Sequence, residues 1–126
     1  LDDPGLDIVS MNYYNNAISY CYKEISTDLN FFIFSDDLEW CKKNFSHVSN
    51  VTFVEHDIYA GKKFYNYLFL MSKFKNYIIP NSSFAWWAAW LSKCENKKVL
   101  VPLIWSGIHK IDEIDVTLDE WIKIEN

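Results

Sequence analysis

The sequence predicts an α/β protein in which helices cover both faces of a parallel sheet. Short apolar runs without charged residues alternate along the chain with segments whose apolar residues recur at helical spacing. Strands that alternate with helices are joined by right-handed crossovers, and this connection makes the strands parallel. The chain has 126 residues, half of them hydrophobic, which suits one domain with its own core. We therefore expect a single Rossmann-like, three-layer domain over residues 1–126.

The predicted elements follow a polar lead-in at residues 1–9. Strands are predicted at 30–34, 51–54, 77–79 and 99–101, with an edge strand at 122–124. Helices are predicted at 11–25, 36–45, 62–74 and 84–93. Ser10 and Ser35 are the expected N-caps of the first two helices, because a serine oxygen can accept from free helix N–H groups. The first strand is expected to be buried on both faces, the third helix on more than one side, and 55–61 to be a polar connection.

Composition excludes several classes of function. The net charge of −5 and the pI near 5.1 argue against nucleic-acid binding. All twelve basic residues are lysines, so no bidentate arginine can hold a phosphate here. No apolar run approaches the ~18 residues of a membrane span, and the three glycines form no phosphate-binding loop. The scattered histidines lack the spacing of metal ligands. The three cysteines form neither a metal-binding nor a disulfide pattern; they are Cys21, Cys41 and Cys94.

The segment 80–91 organises the rest of the chain. It reads as the end of a strand, a polar turn and a helix, and Asn81, Ser82 and Ser83 are all residue types that cap helices. A helix N-terminus has unpaired N–H groups and a positive dipole end, so it can hold a phosphate. A capped core helix without a ligand is the alternative, and the pattern does not decide between them. The tryptophans of this helix could stack on a sugar, although helical aromatics more often belong to the core.

A second polar segment, Ser35-Asp36-Asp37, follows the first strand. Ligands of parallel sheets bind beyond the carboxyl ends of the strands, and both polar segments are predicted at that edge. A carboxylate can accept from the two adjacent N–H donors of guanine. The two segments together describe a guanine nucleoside-diphosphate site. The alternative is a helix cap followed by acids that the helix dipole favours, and the spacing alone favours this alternative. Glu55-His56-Asp57 either faces the same edge or is solvated, and solvation is the simpler interpretation.

Three blocks of sequence carry a resemblance to a known family. They are Phe-Ile-Phe-Ser-Asp-Asp-Leu-Glu-Trp at 32–40, Leu-Met-Ser at 70–72, and Ile-Ile-Pro-Asn-Ser-Ser-Phe-Ala-Trp-Trp-Ala-Ala-Trp-Leu at 78–91. In this order and spacing they resemble the α-1,2-fucosyltransferases of glycosyltransferase family 11, over roughly 12–105. The resemblance implies the C-terminal half of a GT-B enzyme. It also implies GDP-fucose as donor, a galactose-terminated glycan as acceptor, and transfer with inversion that uses no metal and no cofactor.

The resemblance also implies roles for individual residues. Asp37, with Asp36 beside it, would read guanine, and Ser82 or Ser83 would contact phosphate. The full set of expected substrate-binding residues is Ser35, Asp36, Asp37, Asn81, Ser82, Ser83 and Phe84. No catalytic base is identified. The alternatives are a non-catalytic nucleotide- or glycan-binding domain and a fucosyltransferase of another linkage. The enzyme is expected to be cytoplasmic, with peripheral attachment to a membrane left open.

The sequence departs from the family pattern at several points. The family's His-x-Arg-Arg-Gly-Asp motif, whose arginine binds the diphosphate, is absent from this arginine-free chain. The family places that motif just before the first helix, so we expect it in a longer enzyme. Tyr67 stands where an acid usually precedes the Leu-Met block, which puts in doubt any polar contact at that position. Pro80, Ala85 and Ala88 replace a small residue, a serine and a glycine. The chain alone is therefore expected to bind GDP weakly and to transfer nothing.

Overall fold

The computed structural model describes residues 9–59, 63–107, 109–111 and 115–126. The helices are α1 Met11–Glu24, α2 Leu38–Asn44, α3 His56–Tyr59, α4 Phe64–Met71 and α5 Ser83–Leu91. The strands are β1 Phe31–Phe34, β2 Val51–Val54, β3 Asn76–Ile78, β4 Lys98–Pro102, β5 Ile104–Ser106, β6 His109–Lys110 and β7 Ile122–Ile124. The predicted α/β class is confirmed. The polar connection predicted at 55–61 instead contains α3, and residues 60–62 lie outside the described part.

The parallel strands form two sheets and not the single sheet that the sequence predicts. β1 pairs with β2, and β4 lies between β3 and β7, all in parallel. A short antiparallel hairpin of β5 and β6 was not predicted, because its strands are too brief to show a periodic pattern. These parallel sheets are consistent with a Rossmann-like fold, and the resemblance to a GT-B half stays a prediction.

Alternate side chains of β3 and β4 pack on opposite faces of the sheet and so form two apolar layers. Tyr77, Val99 and Val101 pack with two buried alanines of α5, whereas Ile78 and Leu100 pack with α1. Successive side chains of a strand point to opposite faces, so helices cover both faces of this sheet. Three layers, α5, sheet and α1, therefore enclose the core around β4, where the burial of every residue from 99 to 102 is nearly complete.

Tyr13 ties α1 to the sheet. Its side chain is fully buried, and its hydroxyl lies 2.6 Å from the carbonyl oxygen of Ile79 and 3.0 Å from that of Leu100. Burial raises the pKa of Tyr13, so the hydroxyl keeps the proton that it donates. A tyrosine ring can lie this deep in a core when its hydroxyl finds an acceptor there.

Two expectations about burial are wrong. Phe32 in β1 is 45% exposed, and Phe64 and Phe69 in α4 are 61% and 64% exposed. An apolar run shows that a segment can be buried, but it does not show how many neighbours will cover it. α4 packs mainly against α5 and α3, so its opposite side faces solvent. Of the helices that the structure describes, none has the length and apolarity to cross a bilayer.

The cysteines differ in accessibility, and this gives a first prediction. Burial raises the pKa of the Cys21 thiol to about 11 and also raises that of Cys41, whereas Cys94 is partly exposed. The thiolate is the reactive form, so a pKa above the ordinary value lowers reactivity at neutral pH. We expect iodoacetamide to modify Cys94 first, with Cys21 and Cys41 reacting only after unfolding. Mass spectrometry of a time course, with and without guanidinium chloride, measures this order. Rapid modification of Cys21 in the folded protein would contradict it.

Candidate functional site

The helix α5 begins just beyond the end of β3. Ser82 occupies its N-cap position with extended backbone, yet the Ser82 side chain makes no capping hydrogen bond. The Ser82 amide donates to the carbonyl of Pro80 at 2.8 Å, and the Ser82 carbonyl accepts from Trp86 at 2.9 Å. Ser83, the first helical residue, is exposed. The amides of the first turn are therefore not met by the serine that stands in the capping position.

The other end of α5 is held by the chain itself. The Lys97 ammonium donates to the carbonyls of Ala89 at 2.7 Å, Trp90 at 3.3 Å and Ser92 at 2.7 Å. A cation at a helix C-terminus neutralises the negative end of the helix dipole and satisfies carbonyls that have no helical partner. The helix is thus closed by a lysine at its C-terminus and lacks a side-chain cap at its N-terminus.

Two of the predicted residues near this helix have structural contacts. The Asn81 side-chain amide donates to the Trp105 carbonyl at 3.0 Å, which fastens the turn to β5. The half-buried Phe84 ring lies 5.3 Å from the Phe64 ring and 6.2 Å from the Tyr67 ring, measured between centroids. These contacts fix the direction in which α5 extends from the sheet. The hydroxyls of Ser82 and Ser83 lie at the N-terminus of this helix.

The carboxylates lie at the end of β1. Asp37, not Ser35, is the N-cap of α2, because its Oδ1 accepts from the Trp40 amide at 3.0 Å. The Ser35 hydroxyl accepts from the Asp37 amide at 3.0 Å and so shapes the turn before the cap. The predicted helix start at Asp36 is therefore wrong by two residues, since two good capping side chains compete and the later one caps the helix. Asp36 is exposed and makes no hydrogen bond within the described part of the chain.

The Asp37 carboxylate retains capacity for a ligand. A carboxylate has about four lone-pair positions on its two oxygens, and the Trp40 amide occupies one of them. The side chain lies on the exposed side of the turn. Capping a helix and accepting from the two donors of guanine are thus compatible, so the two interpretations left open by the sequence do not exclude each other.

Tyr67 of α4 joins the end of β1 to the end of β2. Its hydroxyl accepts from the Ser35 amide at 3.0 Å and donates to the Val54 carbonyl at 3.3 Å. The ring packs against Phe34, with 5.0 Å between centroids, as well as against Phe84. Burial raises the pKa of Tyr67, which keeps the donor proton in place. The ends of β1 and β2 and the start of α5 therefore meet around one side chain.

In the sequence, Tyr67 stands out only as a departure from the family pattern. Its partners are far away along the chain, Ser35 by 32 residues and Val54 by 13, so no local pattern could identify them. The weak signal was a tyrosine within an apolar helix, since a buried tyrosine needs a partner for its hydroxyl.

His56 lies at the same edge of the fold. Its ring centroid is 4.7 Å from that of Tyr67, although Glu55 and Asp57 beside it are exposed. The prediction that this segment is solvated is therefore right for the two acids and only partly right for the histidine, whose side chain is 37% exposed. The described residues contain no group of three histidine, cysteine or acidic side chains arranged to hold a metal ion.

An open cleft of about 530 Å³ lies elsewhere, between α1 and the loop before β2. It is lined mostly by polar side chains, among them Asn15, Thr27, His47 and Ser49. The loop precedes β2, so the cleft is at the opposite end of that strand from His56. None of the predicted site residues lines it.

Comparison with known proteins places this arrangement in a family. Residues 6–125 match glycosyl transferase family 11, a span that includes both polar strand ends and Tyr67. The chain belongs to glycosyl transferase family 11. The family named from the three sequence blocks is thereby confirmed.

Two relatives of this family 11 chain come from Escherichia coli. The alpha-1,2-colitosyltransferase is 38% identical over 117 residues, which cover 90% of the chain and 38% of the relative. The O-antigen biosynthesis glycosyltransferase WbnK is 34% identical over 119 residues, which cover 93% of the chain and 37% of the relative. The family 11 chain thus spans a little over a third of the length of these relatives. No solved structure matches it.

Proposed function

We propose that this chain is the donor-binding part of a glycosyltransferase that uses GDP-fucose. The longer enzyme would transfer L-fucose in α-1,2 linkage to galactose of a glycan acceptor, with inversion and without metal. The observation that carries the proposal is the start of α5, where Ser82 stands in the capping position without making a capping bond. Family membership supports a nucleotide-sugar donor for this helix end.

The proposed site gives each part of GDP a different partner. The diphosphate takes the first-turn amides of α5 and the hydroxyls of Ser82 and Ser83, where the helix dipole favours negative charge. The guanine edge takes the free lone pairs of the Asp37 carboxylate, whose turn is shaped by Ser35. Tyr67 and Phe84 form the apolar wall between these ends. Asn81 contributes by fastening the turn before α5. Asp36 contributes by adding negative charge beside Asp37.

Stabilisation of the departing diphosphate is the main chemical task of such a site. When the bond to the sugar breaks, negative charge grows on the phosphate oxygens, and donors already aimed at them lower the barrier. The α5 amides supply some of these donors, and His56 lies at the same edge to supply another. This chain has no arginine, so we assign the remaining positive charge and the general base to the longer enzyme. The non-catalytic alternative is that the chain binds GDP within a longer protein that has no transferase activity.

The donor sugar has a second candidate. The relative that is 38% identical to the chain is an alpha-1,2-colitosyltransferase, which favours the α-1,2 linkage and makes colitose an alternative to fucose. The two sugars differ outside the guanine and phosphate contacts proposed here, so these contacts serve both. Assaying the longer enzyme with GDP-fucose and with GDP-colitose distinguishes them.

The proposal predicts weak, phosphate-dependent binding of GDP by the chain alone. Without the family's arginine, we expect dissociation constants of hundreds of micromolar to millimolar, where about −4 to −5 kcal/mol of binding free energy remains. Guanosine should bind more weakly than GDP, and no sugar should be transferred. Amide chemical-shift titration measures both ligands, with shifts expected at residues 35–38 and 81–86.

A double variant separates the phosphate contact from folding. Ser82→Ala with Ser83→Ala should reduce the difference in affinity between GDP and guanosine. It should leave stability nearly unchanged, because Ser82 makes no capping bond that could be lost. Ser49→Ala, an exposed loop substitution, is the matched control. Shifts clustered elsewhere, or none at millimolar GDP, would contradict the proposed site.

A further inference from the structure

Charge is unevenly distributed along this acidic chain. Residues 58–94 contain five lysines and no aspartate or glutamate, whereas all seventeen acidic residues lie outside this segment beside seven lysines. The segment includes both α4 and α5. Lys63, Lys73, Lys75 and Lys93 are exposed. This segment is therefore net positive in a protein whose net charge is negative.

The same two helices expose large apolar side chains. The residues of this surface, the α4–α5 face, are Phe64, Tyr65, Phe69, Trp87, Trp90 and Leu91, each between 44% and 64% exposed. The helices pack against each other, and Phe64 contacts Phe84. Trp87 and Leu91 follow Phe84 by three and seven residues and so lie on the same side of α5. The aromatic groups thus extend from one helix to the next.

Lysines lie directly beside the exposed aromatic rings. The Lys73 ammonium is 4.1 Å from the centroid of the Phe69 ring, and the Lys63 ammonium is 5.8 Å from that of Tyr65. Aromatic rings prefer the boundary between lipid headgroups and hydrocarbon, while lysine stems lie along apolar surface and keep their charge in the polar layer. On the α4 part of the α4–α5 face, cations thus lie beside exposed rings, an arrangement that suits this boundary.

We propose that the α4–α5 face docks on an anionic membrane surface. Charge complementarity selects this occupant: anionic headgroups attract the lysines, and the rings enter the interface beneath them. A second copy of the chain is less suited, because a symmetric dimer would bring the same positive face against itself. The start of α5 belongs to the proposed donor site, so docking would hold that site close to the lipid surface.

Vesicle flotation tests the proposal, with phosphatidylcholine vesicles that either contain or lack phosphatidylglycerol. The protein should bind vesicles that contain phosphatidylglycerol, and added salt should weaken binding because it screens the lysines. Lys63→Glu with Lys73→Glu should lower binding by at least about 25-fold, since each lysine near an anionic surface is worth roughly fivefold. Tyr65→Ser with Phe69→Ser should lower it by at least about tenfold. All four side chains are exposed, so folding should be unaffected.

Matched substitutions on α2 are the controls. Trp40→Ser removes an aromatic ring that is 44% exposed, and Lys43→Glu reverses an exposed charge; both should bind vesicles as the unaltered protein does. Equal binding to both kinds of vesicle, or α4–α5 face variants that bind normally, would overturn the proposal. A dimer in analytical ultracentrifugation that Tyr65→Ser with Phe69→Ser converts to a monomer would instead assign the face to a second copy.

Discussion

Replacing Asp37 by asparagine is expected to lower the affinity for GDP by roughly 5- to 150-fold and to leave the melting temperature unchanged. The Asp37 Oδ1 caps α2 through the Trp40 amide, and asparagine caps a helix about as well as aspartate. The cap should therefore survive. The second carboxylate oxygen becomes an NH₂ group, which is a donor facing a donor of guanine. Leaving such a polar group unpaired costs about 1–3 kcal/mol.

Calorimetric titration with GDP, together with thermal unfolding, separates the two roles of Asp37. Asp36→Asn is the control, because the Asp36 side chain carries the same charge next to Asp37 but caps nothing. It should reduce affinity much less. Asp37→Ala is a second comparison and should lose both GDP affinity and about 0.5–2 kcal/mol of stability. Equal GDP affinities for the original chain and Asp37→Asn would leave Asp37 with capping as its sole role.

Replacing Tyr67 by phenylalanine is expected to lower the free energy of unfolding by about 1–3 kcal/mol. The substitution keeps the ring contacts with Phe34 and Phe84 but deletes the hydroxyl. The Ser35 amide then loses its acceptor and the Val54 carbonyl loses its donor. Because Ser35 also accepts from the Asp37 amide, the turn that presents the carboxylate should loosen, and GDP affinity should fall as well.

Tyr65→Phe is a close control for this experiment. It makes the same chemical change two residues earlier on α4, on a side chain that is 57% exposed, and should leave both stability and GDP affinity unaltered. Urea unfolding gives the free energies, and titration with GDP gives the affinities. If Tyr67→Phe unfolded at the same urea concentration as the original chain, the hydroxyl would not be what joins the strand ends.

Much of the fold could be predicted because local patterns determine it. The parallel strands 51–54 and 122–124 and the helix that starts at Met11 lie where apolar periodicity places them. Both polar segments also follow strands as expected. The capping residue of α2 was misplaced because Ser35 and Asp37 are both good caps, and only the backbone geometry shows which side chain reaches an amide.

The rest of the candidate site depends on contacts between distant parts of the chain. Tyr67 and His56 meet at the strand ends through tertiary packing, and the local sequence at neither position identifies its partner. Burial was likewise misjudged for α4, which has no packing neighbour on one side among the described residues. The composition of a segment indicates its tendency to be buried, but it does not show how many elements will pack against it. The roles assigned to the serines and aspartates in binding stay predictions.

The lysine at the far end of α5 bears on the thermodynamics of binding. Lys97 fixes three carbonyls at the C-terminus of the helix, and Asn81 holds the turn before its N-terminus. The first-turn amides are therefore already oriented before any ligand arrives, and little conformational entropy is left for them to lose. An anion meeting these amides would dock as a rigid body. Its association should then be governed by desolvation and electrostatics, without the large heat-capacity change that accompanies coupled folding.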